Sequence, residues 1–97
     1  MDSSEQTSLR SLREEIARLT LEIIRLSGER LALARKIGEI KARMGMPVED
    51  QTAENDLRMR VIDFSRKNGI NEDFSLKLLE LLIEESKRVQ QENLRGP

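Results

Sequence analysis

Apolar residues recur at alternating intervals of three and four positions through the first half of the chain. The series is Leu9, Leu12, Ile16, Leu19, Ile23, Leu26, Leu33, Ile37, Ile40 and Met44, with Arg30 at the polar position between Leu26 and Leu33. A repeat of this kind is typical of a helix that packs along its length against other helices. It predicts a first helix over about residues 8–44. Thr7 or Ser8 is a suitable N-cap for this helix, and Gly45 followed by Pro47 is expected to end it.

Two shorter helices are predicted in the second half of the chain. Asp50 is a suitable N-cap for a helix over about residues 50–67, and Asn71 for a third helix over about residues 72–93. Their inward stripes are Asp50, Glu54, Leu57, Val61 and Phe64 on the second helix, and Leu76, Leu79, Ile83, Ser86 and Gln90 on the third. We therefore expect an all-α fold with one long and two shorter helices, in a single domain over residues 1–97.

The length of the first helix predicts a second copy of the chain. At ~1.5 Å per residue this helix is a rod of about 55 Å, whereas a compact domain of this length has a radius of gyration of about 13 Å. The two shorter helices can cover only part of the rod. Further apolar residues off the main stripe also need a cover, and these are Leu21, Ile24, Leu31 and Ala34. Because most soluble oligomers are symmetric homodimers, we expect an intertwined helical homodimer.

Composition and charge exclude several classes of function. The chain has no His and no Cys, which excludes His-based triads, Cys nucleophiles and zinc sites built from these ligands. The net charge of −1 gives no global field that attracts nucleic acid or an anionic membrane. No apolar run approaches the ~20 residues of a membrane-spanning helix, and the first residues lack the pattern of a signal peptide. We expect a cytoplasmic protein that binds neither nucleic acid nor membranes.

Polar residues interrupt all three apolar stripes. Arg30 occupies a core position of the first helix, Asp50 and Glu54 begin the stripe of the second, and Ser86 and Gln90 end that of the third. Unpaired burial of such groups costs several kcal/mol. We therefore expect these side chains to meet in one polar site.

Two further cations extend this predicted site. Lys41 follows Arg30 by three helical turns with about 20° left over, so both project from nearly the same face, roughly 16 Å apart along the axis. Arg13 lies about 25 Å before Arg30 on the same helix, a distance that no side chain bridges. If the long helices of two subunits pair antiparallel, however, Arg13 of one subunit approaches the site of the other.

This set of groups is suited to holding a small dianion. Arg binds carboxylates through two parallel hydrogen bonds, and two carboxylates beside cations make a poor metal cage, so no metal is expected. The glycines are scattered and form no phosphate loop, and Ser86 has no base to activate it. Simpler readings remain open: Arg30 as a register device, Asp50 as an N-cap, Lys41 as a surface residue, and Ser86 with Gln90 as a fraying helix end.

Five segments resemble the all-helical class of chorismate mutases in order and spacing. They are residues 12–16 (LREEI), 29–34 (ERLALA), 37–41 (IGEIK), 47–50 (PVED) followed by Glu54, and 83–90 (IEESKRVQ). The resemblance covers residues 9–91. It implies a domain-entwined dimer with two active sites and an isomerase that converts chorismate to prephenate, in the synthesis of Phe and Tyr, by a Claisen rearrangement without a cofactor.

The resemblance also implies roles for the cations and the carboxamide. Arg13 of the partner subunit and Arg30 would bind the substrate carboxylates. Lys41 would contact a carboxylate and the ether oxygen, to which Gln90 would also donate a hydrogen bond.

The remaining roles concern the ring and the walls of the site. Asp50 and Glu54 would meet the ring hydroxyl, Ser86 would assist with a carboxylate, and Ile37 and Ile83 would form apolar walls. The chain departs from the family at Ala53, where many members carry Arg, so one peripheral cation is absent and weaker substrate binding is implied.

Two other functions remain open from the sequence. An isochorismate pyruvate-lyase has the same fold and a similar cationic pocket, and the products formed from isochorismate would distinguish it. A non-catalytic helical adaptor, in which Arg30 only sets the register, would instead be stabilised by Arg30→Leu.

Overall fold

The computed structural model describes residues 3–94, and over that range it contains helices joined by short connections and no strand. The helices are α1 (Ser3–Met44), α2 (Gln51–Lys67) and α3 (Glu72–Gln91), and a 3₁₀ turn (Glu92–Leu94) follows α3. The predicted all-α fold with one long and two shorter helices is confirmed. The ends of the predicted domain, residues 1–2 and 95–97, lie outside the described residues.

The N-terminus of α1 differs from the prediction. The helix already includes Ser3, and Thr7 lies inside it, where its hydroxyl donates to the Ser3 carbonyl at 2.9 Å. Thr7 and Ser8 therefore do not cap the helix. The apolar repeat begins only at Leu9, and the first turn of α1 is exposed on every side, so no apolar pattern marks it. Glu5 in this turn interacts favourably with the helix dipole.

The other helix ends follow from capping residues. Asp50 accepts a hydrogen bond from the Ala53 amide at 3.0 Å, and Asn71 accepts one from the Phe74 amide at 2.8 Å. The α1 helix ends at Met44, because Gly45 follows with a φ of 67° that lets the next amide, of Met46, close on the carbonyl of Lys41 at 2.8 Å.

The third helix packs against both α1 and α2. Its buried face carries Leu79, Ile83 and Val89, and Ala34 of α1 is buried as well. Because α3 lies between the other two helices, it brings residues of α1 and α2 to one place. No helix within residues 3–94 has an apolar segment long enough to cross a membrane.

A close approach between α1 and α3 depends on Gly38. A Cβ atom at this position would lie 2.9 Å from the Cα of Gln90 and 2.7 Å from the side-chain nitrogen of Asn93. Such distances are shorter than van der Waals contact, so only glycine permits this spacing.

The single chain is elongated and leaves much of its apolar surface uncovered. Its radius of gyration is 18.4 Å and its extents are 64 × 33 × 14 Å. The apolar stripe of α1 is exposed along its length, and Leu21 and Ile24 are exposed as well. One expectation was wrong: Ala34 needs no second chain, since α3 leaves it only 4% exposed. Phe64, placed on the inward stripe of α2, is 62% exposed in the single chain, so its burial against a second chain stays a prediction.

Candidate active site

A cavity of about 430 Å³ lies between the C-terminal half of α1, the start of α2 and the second half of α3. Of the residues singled out from the sequence, it is lined by Arg30, Ile37, Lys41, Asp50, Glu54, Ile83, Ser86 and Gln90. Apolar side chains, among them Leu33, Val48 and Leu57, complete the wall. The polar interruptions of the three stripes therefore share one cavity.

Arg30 is held by oxygen atoms of α3. Its Nη1 atom donates to the Leu82 carbonyl at 3.0 Å and to the Ser86 hydroxyl. Partial burial lowers the pKa of Arg30 from its ordinary value, yet a guanidinium remains charged in proteins. Within residues 3–94 no carboxylate pairs with Arg30, so the charge of its guanidinium is available to an anion. Both of its hydrogen bonds come from Nη1, so the N–H donors of Nε and Nη2 are also unused there.

Lys41 and Gln90 form the opposite end of the polar lining. The Lys41 Nζ atom donates to the Val48 carbonyl at 2.7 Å and to the Gln90 Oε1 atom at 3.0 Å. Gln90 is buried, and because its oxygen accepts from Lys41, its amide nitrogen is the donor end. The contact of Gly38 with Gln90 brings these two side chains within reach of each other.

The carboxylates enter the cavity from the first turns of α2. Glu54 is largely buried, with a side chain 13% exposed, and it lies 3.5 Å from Arg58 Nη2 and 3.0 Å from Lys87 Nζ. Asp50 lines the cavity and also caps α2, so the N-cap interpretation of this residue describes part of its role.

The apolar pair and Arg13 occupy different positions. Ile83 is buried in the core beneath the cavity, and Ile37 is exposed at its rim. Arg13 is exposed on α1, about 25 Å along the helix from Arg30, and does not reach this cavity. Its predicted contribution across a dimer interface stays a prediction.

The sequence interpretation missed two features of the site. Lys87 follows Ser86 directly and lines the same cavity, but a lysine on a charged helix carries no distinctive signal. Gly38 lies four residues after Ala34 and three before Lys41. Ala34 and Gly38 are small residues one helical turn apart, and this spacing could have indicated the close approach of another helix.

The charges of the cavity favour an anion. Its lining holds the cations Arg30, Lys41 and Lys87 and the carboxylates Asp50 and Glu54, which leaves one net positive charge. Over the described residues no cluster of three or more His, Cys, Asp or Glu side chains could hold a metal ion. The arrangement can bind and polarise an anionic ligand through hydrogen bonds, and it offers no activated nucleophile.

Comparison with known proteins shows the family to which this sequence is similar. Residues 12–91 match the family model described as chorismate mutase type II. The chain belongs to this family. The resemblance drawn from the five sequence segments is thus confirmed. The matched residues, 12–91, include most of α1 and all of α2 and α3, the helices that form the cavity.

Curated relatives include both single-function and fused members of the chorismate mutase family. The chain is 29% identical over 86 residues to the chorismate mutase of Methanocaldococcus jannaschii, covering 89% of this chain and 87% of that protein. It is 33% identical over 86 residues to the bifunctional chorismate mutase/prephenate dehydratase of Escherichia coli K12, covering 89% of this chain and 22% of that protein. The chain thus spans about a fifth of that bifunctional relative.

Proposed function

We propose that this chain is a chorismate mutase, an isomerase that converts chorismate to prephenate without a cofactor on the route to Phe and Tyr. Membership of the type II family supports this assignment. The observation that carries it within the site is that Arg30, Lys41 and Gln90 line one cavity as hydrogen-bond donors. A rearrangement that moves no proton needs such donors and needs neither a nucleophile nor a base.

The two carboxylates of chorismate match the cations of the cavity. Arg30 retains unused donors and forms no ion pair within residues 3–94, so it binds one carboxylate, with the Ser86 hydroxyl beside it. Lys41 binds a carboxylate and also faces the ether oxygen. Glu54 and Asp50 receive the ring hydroxyl, and Ile37 and Ile83 form the apolar walls against the ring.

The rearrangement breaks the ether carbon–oxygen bond as a carbon–carbon bond forms within the same molecule. Negative charge grows on the ether oxygen, where the Lys41 ammonium and the Gln90 amide nitrogen donate. Holding the flexible ether in its reactive conformer supplies up to ~7–11 kcal/mol, and each fixed donor about 2.7–4 kcal/mol by analogy with oxyanion holes. An acceleration of ~10⁶ requires about 8 kcal/mol, so the two effects together suffice.

The active unit in this proposal is an intertwined homodimer of single-domain chains. The exposed apolar stripe of α1 supports it, because monomers rarely expose a continuous apolar surface of this length. Antiparallel pairing of two α1 helices brings Arg13 of one subunit to the cavity of the other, where it meets the second carboxylate. A cytoplasmic location stays a prediction from the sequence.

The primary test follows the ultraviolet absorbance of chorismate and identifies the products. Loss of chorismate with formation of prephenate is expected. Pyruvate and salicylate from isochorismate would instead identify the lyase, and inactivity on both substrates, together with a more stable Arg30→Leu variant, would favour the adaptor.

A subunit-mixing experiment tests the shared site. Arg13→Ala and Arg30→Ala are each expected to lose most activity, because every site then lacks one cation. In an equal mixture half of the dimers are mixed and each has one intact site, so about a quarter of the activity returns. No recovery after subunit exchange, verified by a tag on one variant, would refute Arg13 sharing.

A further inference from the structure

Lys87 lies in the wall of the cavity, and the rearrangement as derived above gives it no task. We propose that Lys87 is a positioning residue that holds the Glu54 carboxylate in the cavity and offsets its charge, so that a dianion with a ring hydroxyl can bind beside it. This inference rests on the proposed function.

The contacts of Lys87 connect the cavity to its rim. Its Nζ atom lies 3.0 Å from Glu54 Oε2 and 3.1 Å from Glu49 Oε1. The Lys87 side chain is 29% exposed and that of Glu49 is 60% exposed, so the pair with the largely buried Glu54 is the better shielded from water. The pKa of Lys87 is raised above its ordinary value, and the hydrogen bond to Glu54 contributes more to this rise than the one to Glu49.

Glu54 is held through both of its oxygen atoms. Lys87 pairs with Oε2, and Arg58 lies 3.5 Å from Oε1. Arg58 is engaged more closely by Glu80, whose Oε1 lies 2.7 Å from its Nε atom, so Lys87 is the nearer cation to Glu54. An ionised carboxylate has about four lone-pair sites, so it can accept a ligand hydroxyl while both cations remain bound.

The charge of the cavity depends on Lys87. The remaining cations, Arg30 and Lys41, equal in number the carboxylates Asp50 and Glu54, so without Lys87 the lining would be neutral. Ala53, directly before Glu54, lines the same cavity and supplies no charge. Without Lys87, Glu54 would keep only Arg58, 3.5 Å away and engaged more closely by Glu80, and would repel a doubly negative ligand; the ammonium on α3 reduces that repulsion.

Lys87→Met is the central variant, because it keeps an unbranched side chain only one atom shorter and removes the charge. Loss of one charge-assisted contact predicts a KM for chorismate about tenfold higher. We expect kcat to change by less than about twofold. Lys87 compensates the charge of Glu54, and this favours binding of the doubly negative substrate and of the equally charged transition state by the same amount. Lys87→Arg is expected to restore KM. Lys77→Met, on the same helix outside this cavity, and Glu49→Gln serve as controls with KM within about twofold of the original.

A double-mutant cycle separates positioning from direct contact. If Lys87 acts through Glu54, adding Lys87→Met to Glu54→Gln changes KM by less than about twofold. Additive effects on KM would show that Lys87 contacts the substrate itself and would overturn the proposal. So would an unchanged KM in Lys87→Met alone.

Two measurements keep these outcomes distinct from failures of folding or of the assigned reaction. Circular dichroism melting of each variant, with Lys87→Gln as a second neutral substitution, shows whether the fold is retained. Absence of chorismate turnover by the unmodified protein would overturn the proposed function and this inference together. Normal turnover with an unchanged KM in both neutral variants would overturn the role of Lys87 alone.

Discussion

Gly38→Ala tests how the spacing of α1 and α3 sets the geometry of Lys41 and Gln90. The added Cβ would lie 2.9 Å from the Cα and 3.1 Å from the Cβ of Gln90, and 2.7 Å from Asn93 Nδ2. Asn93 can rotate away, but the backbone of Gln90 moves only with α3. Ordinary carbon contacts of about 3.5–4.0 Å therefore require a local separation of roughly 0.6–1 Å.

Two opposing terms determine the stability of this variant. Alanine is favoured over glycine inside a helix by about 1 kcal/mol, whereas overpacking costs typically about 1–3 kcal/mol. The net expectation is a loss of up to about 2 kcal/mol in the free energy of unfolding. The effect on activity is larger, because a displacement of about 1 Å at reacting groups can cost ~10²-fold.

The assay combines urea unfolding, followed by circular dichroism, with chorismate kinetics. We expect kcat to fall roughly 10- to 100-fold, since the role proposed for Gln90 is to donate to the ether oxygen in the transition state. Gly28→Ala, on the same helix, provides the comparison. Among residues 3–94, and leaving aside the adjoining backbone of α1, no atom lies within 4 Å of a Cβ there, and a gain of about 1 kcal/mol is expected. A Gly38→Ala protein that is more stable and has unchanged kcat would refute the reasoning.

Two other predictions concern a cap and an ion pair. Asn71→Ala removes the N-cap of α3 far from the cavity and should lower the free energy of unfolding by about 1 kcal/mol with kcat/KM unchanged; a change in kcat/KM in the chorismate assay would contradict this. Arg58 holds the pKa of Glu80 below its ordinary 4.5, so this pair stabilises the fold above pH 4.5, and that contribution disappears as the pH falls through the lowered pKa. Melting temperatures from pH 7 to 3 should therefore show Glu80→Gln less stable than the original at neutral pH, with the difference closing in acid; a constant difference would contradict the assignment.

Local signals explain which parts of the fold were predictable from the sequence. Asp50 and Asn71 form caps within three residues of their own positions, and Gly45 ends α1 through its positive φ. The start at Ser3 was missed because the first turn has no buried face to impose a pattern. Phe64 is exposed in the single chain, because a stripe identifies an apolar face without identifying which chain covers it.

The candidate site shows the same division between local and long-range information. The apolar stripes fail at Arg30, Glu54 and Gln90, and these failures predicted a common polar site before any distance was known. The role of Gly38 depends on Gln90, which lies in a different helix, and the pairing of Lys87 depends on Glu54 of α2. Such contacts arise from tertiary packing, which no local pattern specifies.

The continuous helix that carries Arg30 and Lys41 restricts how the length of this protein can vary. An insertion of one residue between them would turn Lys41 by about 100° around the axis of α1 and remove it from the cavity. A deletion would turn it by the same angle in the opposite direction. Insertions and deletions are therefore expected to accumulate in the connections at residues 45–50 and 68–71, where the chain can absorb them without altering the angular relation of the two cations.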